Sequence, residues 1–548
     1  MFAKAFLTLA SLIAARFFWR LLLRFVLRTS LDNIRGPPSA SFLTGNFQQL
    51  YSVNGWAFHA NLAAQCKSFV TDGPVVRLTG ALGERQLYVA DPLALHHIVV
   101  KDQDIYEEHP QFISTNSVIF GKSLLSTMGA HHKKQRKLMN PVFSTAHMRN
   151  MIPIFYEVAN ALRATFEELT EKGPAEIDLL QWMGRTATEL IGRSGLGYSF
   201  DSLARDAPEH PYATSVKEYI PTMFRLHVLR VYVLPIVYNL GPAWLRRAVV
   251  NILPSPTMHA LRDMADIMWN TSKEIYSEKV AALNAGDAAV SKQIGHGKDI
   301  LSLLIRANMN TDDPLPEDEL LGQMSSLVFA AMDTTSTALS RISHLLATHP
   351  EDQDRLRAEI RAAKKEYGTL SYNDLEELPY LDAVCRETLR LYPPAPQLLR
   401  KVKQDVIMPF SKPVIGKDGR EVSEVLVPAG TVMVIAIMNA NRNKDIWGED
   451  ALEWKPERWL KPLPSTVTDA HIPGVYSNLM TFLGGGRACI GFKFSQMEMK
   501  VVLVELLDVF KVSLASKEVH WRMSNIVSPY IKEEPNRSQL PIVLSKAN

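Results

Sequence analysis

The stretch TFLGGGRACIGFKFSQMEMK, Thr481 to Lys500, sets one of the chain's three cysteines behind three consecutive glycines and at the mouth of a helix-like run. A thiolate is a ligand for soft and borderline metals. A helix starting after Cys489 would turn its positive end toward the sulfur, and Arg487 would add a second positive charge; both favour the thiolate. Arg487 can also pair with a ligand carboxylate. Glycines such as Gly485 and Gly491 let a backbone come close to a flat ligand. A lone cysteine in a Gly-rich turn is more often a buried structural residue, so the chemistry must be argued from other residues too.

Three further stretches supply them. CRETLRLYPPAPQLLR carries Glu387 and Arg390 at i and i+3, side by side on a helix that stops at Pro393 and Pro394. WKPERW, Trp454 to Trp459, offers Arg458 to the same carboxylate. AAMDTTS, Ala330 to Ser336, sets Asp333, Thr334 and Thr335 inside an apolar helix, where polar groups are costly unless satisfied or used. Two small alanines before them leave room beside the helix.

The elements that must hold these residues follow from the pattern. Pro316 to Pro350 reads as one helix of more than 30 residues, acidic at its start, closed by His349-Pro350 and apolar on nearly every side in its middle. Helical patterns dominate from about Gly121 to Gly368. After Pro393 the pattern turns to strands (KPVIGKDGREV, VLVPAGTVMVI), with others mixed into the segment from Leu43 to Val100. The reading is one large, mainly α-helical α+β domain over residues 43–548, with small β-sheets at both ends and no internal repeat.

The N-terminus differs. AFLTLASLIAA is followed by Arg16, Arg20, Arg24 and Arg28 among aromatic and apolar residues. Residues 1–30 read as a single membrane anchor whose arginines reach the headgroups, and residues 31–42, with IRGPPSA, as a Pro/Gly hinge. Positive charge after the apolar run keeps the body cytosolic. A net charge of +3 in 548 residues gives no argument for nucleic acid. Cys66, Cys385 and Cys489 form no CxxC pair and no disulfide framework, which suits a reducing compartment.

Taken together, these stretches resemble the cytochrome P-450 superfamily of haem-thiolate monooxygenases, of a fungal microsomal type. Phe482, Gly485, Arg487, Cys489 and Gly491 fill the family's F-x-x-G-x-R-x-C-x-G pattern, Glu387 and Arg390 its E-x-x-R, and Arg458 the third place of that structural triad. Ala330 to Thr334 match the A-G-x-D-T pattern, with Ala331 for the glycine. GAHHKKQRKLMNPVF matches the W-x-x-x-R helix, with His132 for the tryptophan.

The resemblance implies haem b with Cys489 as axial ligand to iron, and His132, Arg136 and Arg400 as partners of the haem propionates. It implies that Thr334 holds dioxygen and Asp333 relays protons. The chain has no dinucleotide fingerprint, so electrons would come from NADPH through a separate cytochrome P-450 reductase. Phe112, Val118, Phe120 and Ala330 are the expected pocket for a lipophilic substrate. The apolar run Val231 to Leu245 reads as a core helix pair or a second contact with membrane lipid. Localisation would be the endoplasmic reticulum membrane, and the role secondary metabolism such as terpenoid biosynthesis. Rival readings are an O2-independent isomerase or dehydratase, a xenobiotic-oxidising monooxygenase, and a haem-binding sensor without turnover. The intact Asp333-Thr334 pair argues against the first.

Overall fold

The computed structural model describes residues 26–63, 73–227, 229–290 and 292–547, with positions 19 and 22 near the N-terminus. The expected anchor over residues 1–30 and Cys66 therefore lie wholly or mostly outside the described residues. Ten longer helices build the body: α1 (Pro110–Phe120), α2 (Gly129–Met139), α3 (Thr145–Leu169), α4 (Leu179–Ile191), α5 (Pro211–Arg225), α6 (Pro256–Ala285), α7 (Glu317–Thr348), α8 (Pro350–Tyr367), α9 (Pro379–Leu391) and α10 (Phe492–Val509).

The 32-residue helix α7 runs through the centre, as its all-round apolar pattern requires. Glu317, Asp318 and Glu319 occupy its first turn, where they complement the positive end of the helix. Leu320, Leu321, Met324, Val328, Leu339, Ile342 and Leu346 are closed from solvent. Each such side chain contributes on the order of 1.5–3 kcal/mol by leaving water. Gly322 is needed where α7 crosses the end of α1, because a Cβ there would stand 2.8 Å from the Phe120 carbonyl and 2.5 Å from that of Lys122.

The main sheet has five strands: β1 (Val75–Thr79), β2 (Arg85–Val89), β3 (Tyr106–Glu108), β4 (Leu398–Val402) and β5 (Val432–Ile435), in the spatial order β1-β2-β5-β4-β3. Strands from opposite ends of the chain meet in it: β2 pairs in parallel with β5, Gln86 facing Val432. Separate sheets at the two ends of the chain were expected. The expectation fails because side-chain alternation reports which face of a strand is buried and not which strand lies beside it. The antiparallel register of β3 on β4 sets Glu108 opposite Arg400. That pairing matters for the site.

The first part of the expected hinge, residues 31–37, is packed onto the body. Leu31 and Ile34 are buried, Asp32 pairs with Arg77 and Arg85, and Arg35 donates to the Gly416 carbonyl. Four of the cations on helix α8, Arg355, Arg357, Arg361 and Lys364, are paired within the molecule. Arg355 meets Glu457 at 2.6 Å, Arg357 meets Asp354 at 2.5 Å, and Lys364 meets both Glu505 and Asp508.

Candidate active site

The cysteine loop is pinned by its own backbone. The Cys489 amide donates to the Phe482 carbonyl at 2.8 Å, and the Phe482 ring leans on Tyr476 and Phe492. Gly485 has φ +68, and a Cβ on it would fall 1.7 Å from the Val99 carbonyl oxygen. The glycine is thus required by close packing of the loop on the turn His97–Lys101, not only by a ligand. Gly491 precedes α10 at the mouth of the helix behind Cys489.

Cys489 is solvent-accessible although protein atoms surround it, so its thiol opens onto a space inside the molecule. Burial pushes its pKa up; the Gly491 amide and Arg136 pull it down. The cation that acts on the sulfur is therefore Arg136, and not Arg487 as its place in the loop suggested. Arg487 turns away and donates to the carbonyls of Thr127 at 2.8 Å and Leu124 at 3.3 Å.

His132, Arg136, Arg400 and Arg487 come from α2, β4 and the cysteine loop, and all line one cavity of about 380 Å³ beside Gly485 and Gly486. Glu107 and Glu108 line it too. Arg400 donates to Glu108 Oε2 at 2.7 Å, and Glu107 stands 3.5 Å from Arg487. Arg136 also donates to the Ala488 carbonyl, tying α2 to the cysteine loop. Burial, with Arg487, Arg136 and Lys133 nearby, drives the His132 pKa down to about 3. The imidazole is neutral near pH 7 and offers an N–H rather than a charge.

In the middle of α7, Ala330 is exposed and Asp333 and Thr334 are half-exposed, while Val328, Met332 and Thr335 are buried. An accessible residue at the centre of a core helix marks an internal opening on that side. The Thr334 hydroxyl donates back to the Ala330 carbonyl at 2.7 Å. The Asp333 carboxyl has no hydrogen-bond partner among the described residues; burial raises its pKa to about 7, against an opposing pull from Lys217. Thr335 points the other way and donates to Glu498 Oε1 at 2.6 Å. Glu498, on α10, has no exposed surface, leaves Oε2 without a partner, and is pushed up to about 8 by burial. Sequence reasoning missed it. Its signal was a glutamate between methionines in an apolar helix.

Glu387 is fully buried and fully used. Arg390 grips it through two bonds of 2.8 Å, Trp459 Nε1 donates at 2.9 Å and the Lys455 amide at 3.1 Å. Arg458 joins at 3.4 Å, although its shorter bond goes to Asp450 at 2.9 Å. Arg390 also donates to the carbonyls of Asn441, Ala451 and Glu453, so this one pair closes α9 onto the meander Asn441–Trp459 that leads to the cysteine loop.

A family model described as Cytochrome P450 matches residues 35–532. Cytochrome P450 monooxygenase 91 of Postia placenta is 50% identical over 93% of both chains. Cytochrome P450 monooxygenase 81 of the same fungus is 49% identical over 95% of this chain and 94% of its own. A ganoderic acid synthetase of Ganoderma lucidum is 41% identical over 96% of both. The chain belongs to the cytochrome P450 family. It is an oxidoreductase of the monooxygenase type.

The donor set of this P450 fits its family's haem. An accessible thiol stands ready for iron, and His132, Arg136, Arg400 and Arg487 line one cavity, where Arg400 and Arg487 now face Glu108 and Glu107. The expected pocket residues fare unequally. Ala330 faces open space. Phe112 and Val118 are 36% and 50% exposed on α1. Phe120 is closed in the core, its ring 5.4 Å from Tyr219 and 5.0 Å from Phe329, and it supports the pocket wall rather than lining it. The reason is its place on the face of α1 that meets α7.

Proposed function

We propose that this P450 binds haem b through the Cys489 thiolate and inserts one oxygen atom from O2 into a lipophilic small molecule, by hydroxylation or epoxidation. The observation that carries the proposal is the accessible Cys489 thiol within reach of Arg136, which with His132, Arg400 and Arg487 lines a cavity bounded by Gly485 and Gly486 of the cysteine loop. When bound, haem supplies the oxidising chemistry. The protein's own residues hold it and manage protons. Arg136 and the Gly491 amide favour the sulfur anion; Arg400, Arg487 and the His132 N–H take the haem carboxylates. Asp333, with a pKa of about 7, carries a proton near neutral pH and can surrender it. Thr334 Oγ can exchange its bond to the Ala330 carbonyl for one to a ligand, passing that proton across the helix face. Ala330 leaves room for substrate there.

Electrons come from NADPH through a separate P450 reductase. The chain is an endoplasmic-reticulum protein, with its body facing the cytosol and a contact on lipid besides the N-terminal anchor. The segment from Leu229 to Leu253 supports this: Ile236 and Trp244 are each 70% exposed, among Tyr232, Leu240 and Ile252. Among the described residues no single helix is long and apolar enough to cross a membrane; Pro211–Arg225 and Leu229–Val237 pass only as a pair bent by 86°. A surface contact, not a span, suits such a pair. The Ganoderma relative is named for making a product, which supports a role in secondary metabolism such as terpenoid biosynthesis. The test is reconstitution with reductase and NADPH under isotopically labelled dioxygen, fed a panel of terpenes and other lipophiles. One labelled oxygen atom in the product is expected. Product lacking the label, or formed without NADPH, contradicts the proposal.

A further inference from the structure

Among the described residues, five arginines are at least nine-tenths buried: Arg230, Arg341, Arg357, Arg390 and Arg400. Three have carboxylate partners: Asp354 for Arg357, Glu387 for Arg390 and Glu108 for Arg400. Arg341 lies among aromatic rings, 3.5 Å from Trp521 and 4.1 Å from Tyr392. Arg230 has no carboxylate partner among the described residues, and the one ring its guanidinium stands over, Phe224, is 5.3 Å away. Gln111 Oε1, with the amide turned toward it, accepts from Nη2 at 2.8 Å and Nε at 3.1 Å. A neutral amide does not neutralise a buried guanidinium, whose burial is costly without a counter-charge.

The groups around Arg230 are also donors in want of acceptors. Tyr51 and Tyr219 lie within its electrostatic reach, and neither hydroxyl has a partner among the described residues. His227, also within reach, leaves its buried Nδ1 unpartnered. The place is as telling as the chemistry. Arg230 sits on the turn Leu229–Val233, whose neighbours Tyr232 and Val233 face outward, while Arg230 turns inward under α1. Tyr219, closed from solvent, links this place to the centre: its ring packs 5.5 Å from Phe329, which precedes the exposed Ala330 on α7.

We propose that Arg230, with Tyr51 and Tyr219, is the anchor for the carboxylate of an amphipathic substrate, holding the acid end at the entrance while the apolar body extends toward the open side of α7 at Ala330. The substrate class is therefore a lipophilic acid, oxidised at a carbon far from its carboxylate. Arg230 is a specificity-determining residue, outside the haem-binding and proton-handling set. The inference rests on the monooxygenase reading for its direction of approach. An anionic lipid headgroup carries the same chemistry, and the test separates the two.

The experiment uses full-chain holoenzyme whose reduced carbon monoxide complex shows the thiolate-ligated Soret band, which reports the haem reading on its own. Two acid and methyl-ester pairs, hexadecanoic and abietic, are titrated by the Soret shift and by equilibrium dialysis. In at least one pair the acid should bind more tightly than its ester by roughly tenfold or more, the worth of a charge-assisted hydrogen bond. Arg230→Gln should bring that ratio to about one. Arg230→Lys should keep part of it, since a point charge loses the fork geometry; where Arg230→Gln takes up no haem, that partial loss decides. A ratio near one for both pairs in the native protein, or a ratio unchanged in the variants, overturns the proposal. So does an unchanged ratio together with weaker binding of Arg230→Gln to phosphatidylserine than to phosphatidylcholine vesicles, which assigns the residue to lipid.

Discussion

Glu387 and Asp333 are both carboxylates on core helices, and the molecule treats them in opposite ways. Glu387 has Arg390, Arg458, Trp459 and a backbone amide on its two oxygens. Asp333 has only the distant charge of Lys217, and burial lifts it to about 7. The first arrangement fixes structure; the second leaves a proton near its point of exchange. Buried polar groups cost free energy unless satisfied, so those left unsatisfied mark where a ligand or a proton is expected. Arg390 and Arg230 repeat the contrast among cations.

The largest effect should come from breaking the satisfied side. Glu387→Ala leaves Arg390 buried and uncompensated, at a cost of about 3–5 kcal/mol. The variant should express poorly and fail to take up haem, measured as haem per protein. Soluble, haem-loaded Glu387→Ala would show that the network is dispensable.

On the unsatisfied side, folding should survive and chemistry suffer. Asp333→Asn should retain haem and melt close to the native protein, while NADPH consumption and product formation both fall by about 10²–10⁴-fold, the usual worth of a proton-transfer group. The pH profile sharpens this. The protonated acid is the donor and its folded pKa is about 7, so turnover should fall as pH rises through 7 and that inflection should vanish in Asp333→Asn. The same shift acts on stability. A carboxyl raised from 3.8 binds its proton more firmly when folded, so its contribution is present below pH 3.8 and lost as pH rises toward 7.

Thr334→Ala should do less to NADPH consumption than to product. With the hydroxyl gone, the ratio of product to NADPH should fall and free hydrogen peroxide rise. An unchanged ratio would pass the role to Thr335 or to water, although Thr335 is already bound to Glu498. The smallest effect is on membrane binding. With residues 1–28 removed, the protein should stay partly membrane-bound until Val233, Leu234 and Ile236 become polar. Full release by the truncation alone would dismiss the second contact.

Much of this was legible in the sequence because it is local. The span of α7 follows from its acidic start, its apolar middle and the His349-Pro350 stop. The Glu387–Arg390 pair follows from helical spacing. What was hidden depends on which distant segments meet. Gly485 faces the Val99 carbonyl, Arg136 rather than Arg487 acts on the sulfur, and Glu498 receives Thr335. None of these follows from spacing along the chain, because each pairs residues more than 100 positions apart. Phe120 misled for a related reason: a residue type suited to a pocket says nothing of which helix face it occupies.

The central claim is that Cys489 is the haem ligand, and one spectrum tests it most directly. In the native protein the reduced carbon monoxide complex should show the red-shifted Soret band of thiolate ligation. In Cys489→Ser that band should vanish, and turnover with it, while Cys385→Ser keeps both. Retention of the band in Cys489→Ser, with its loss in a substitution of Cys66 or Cys385, would contradict the account.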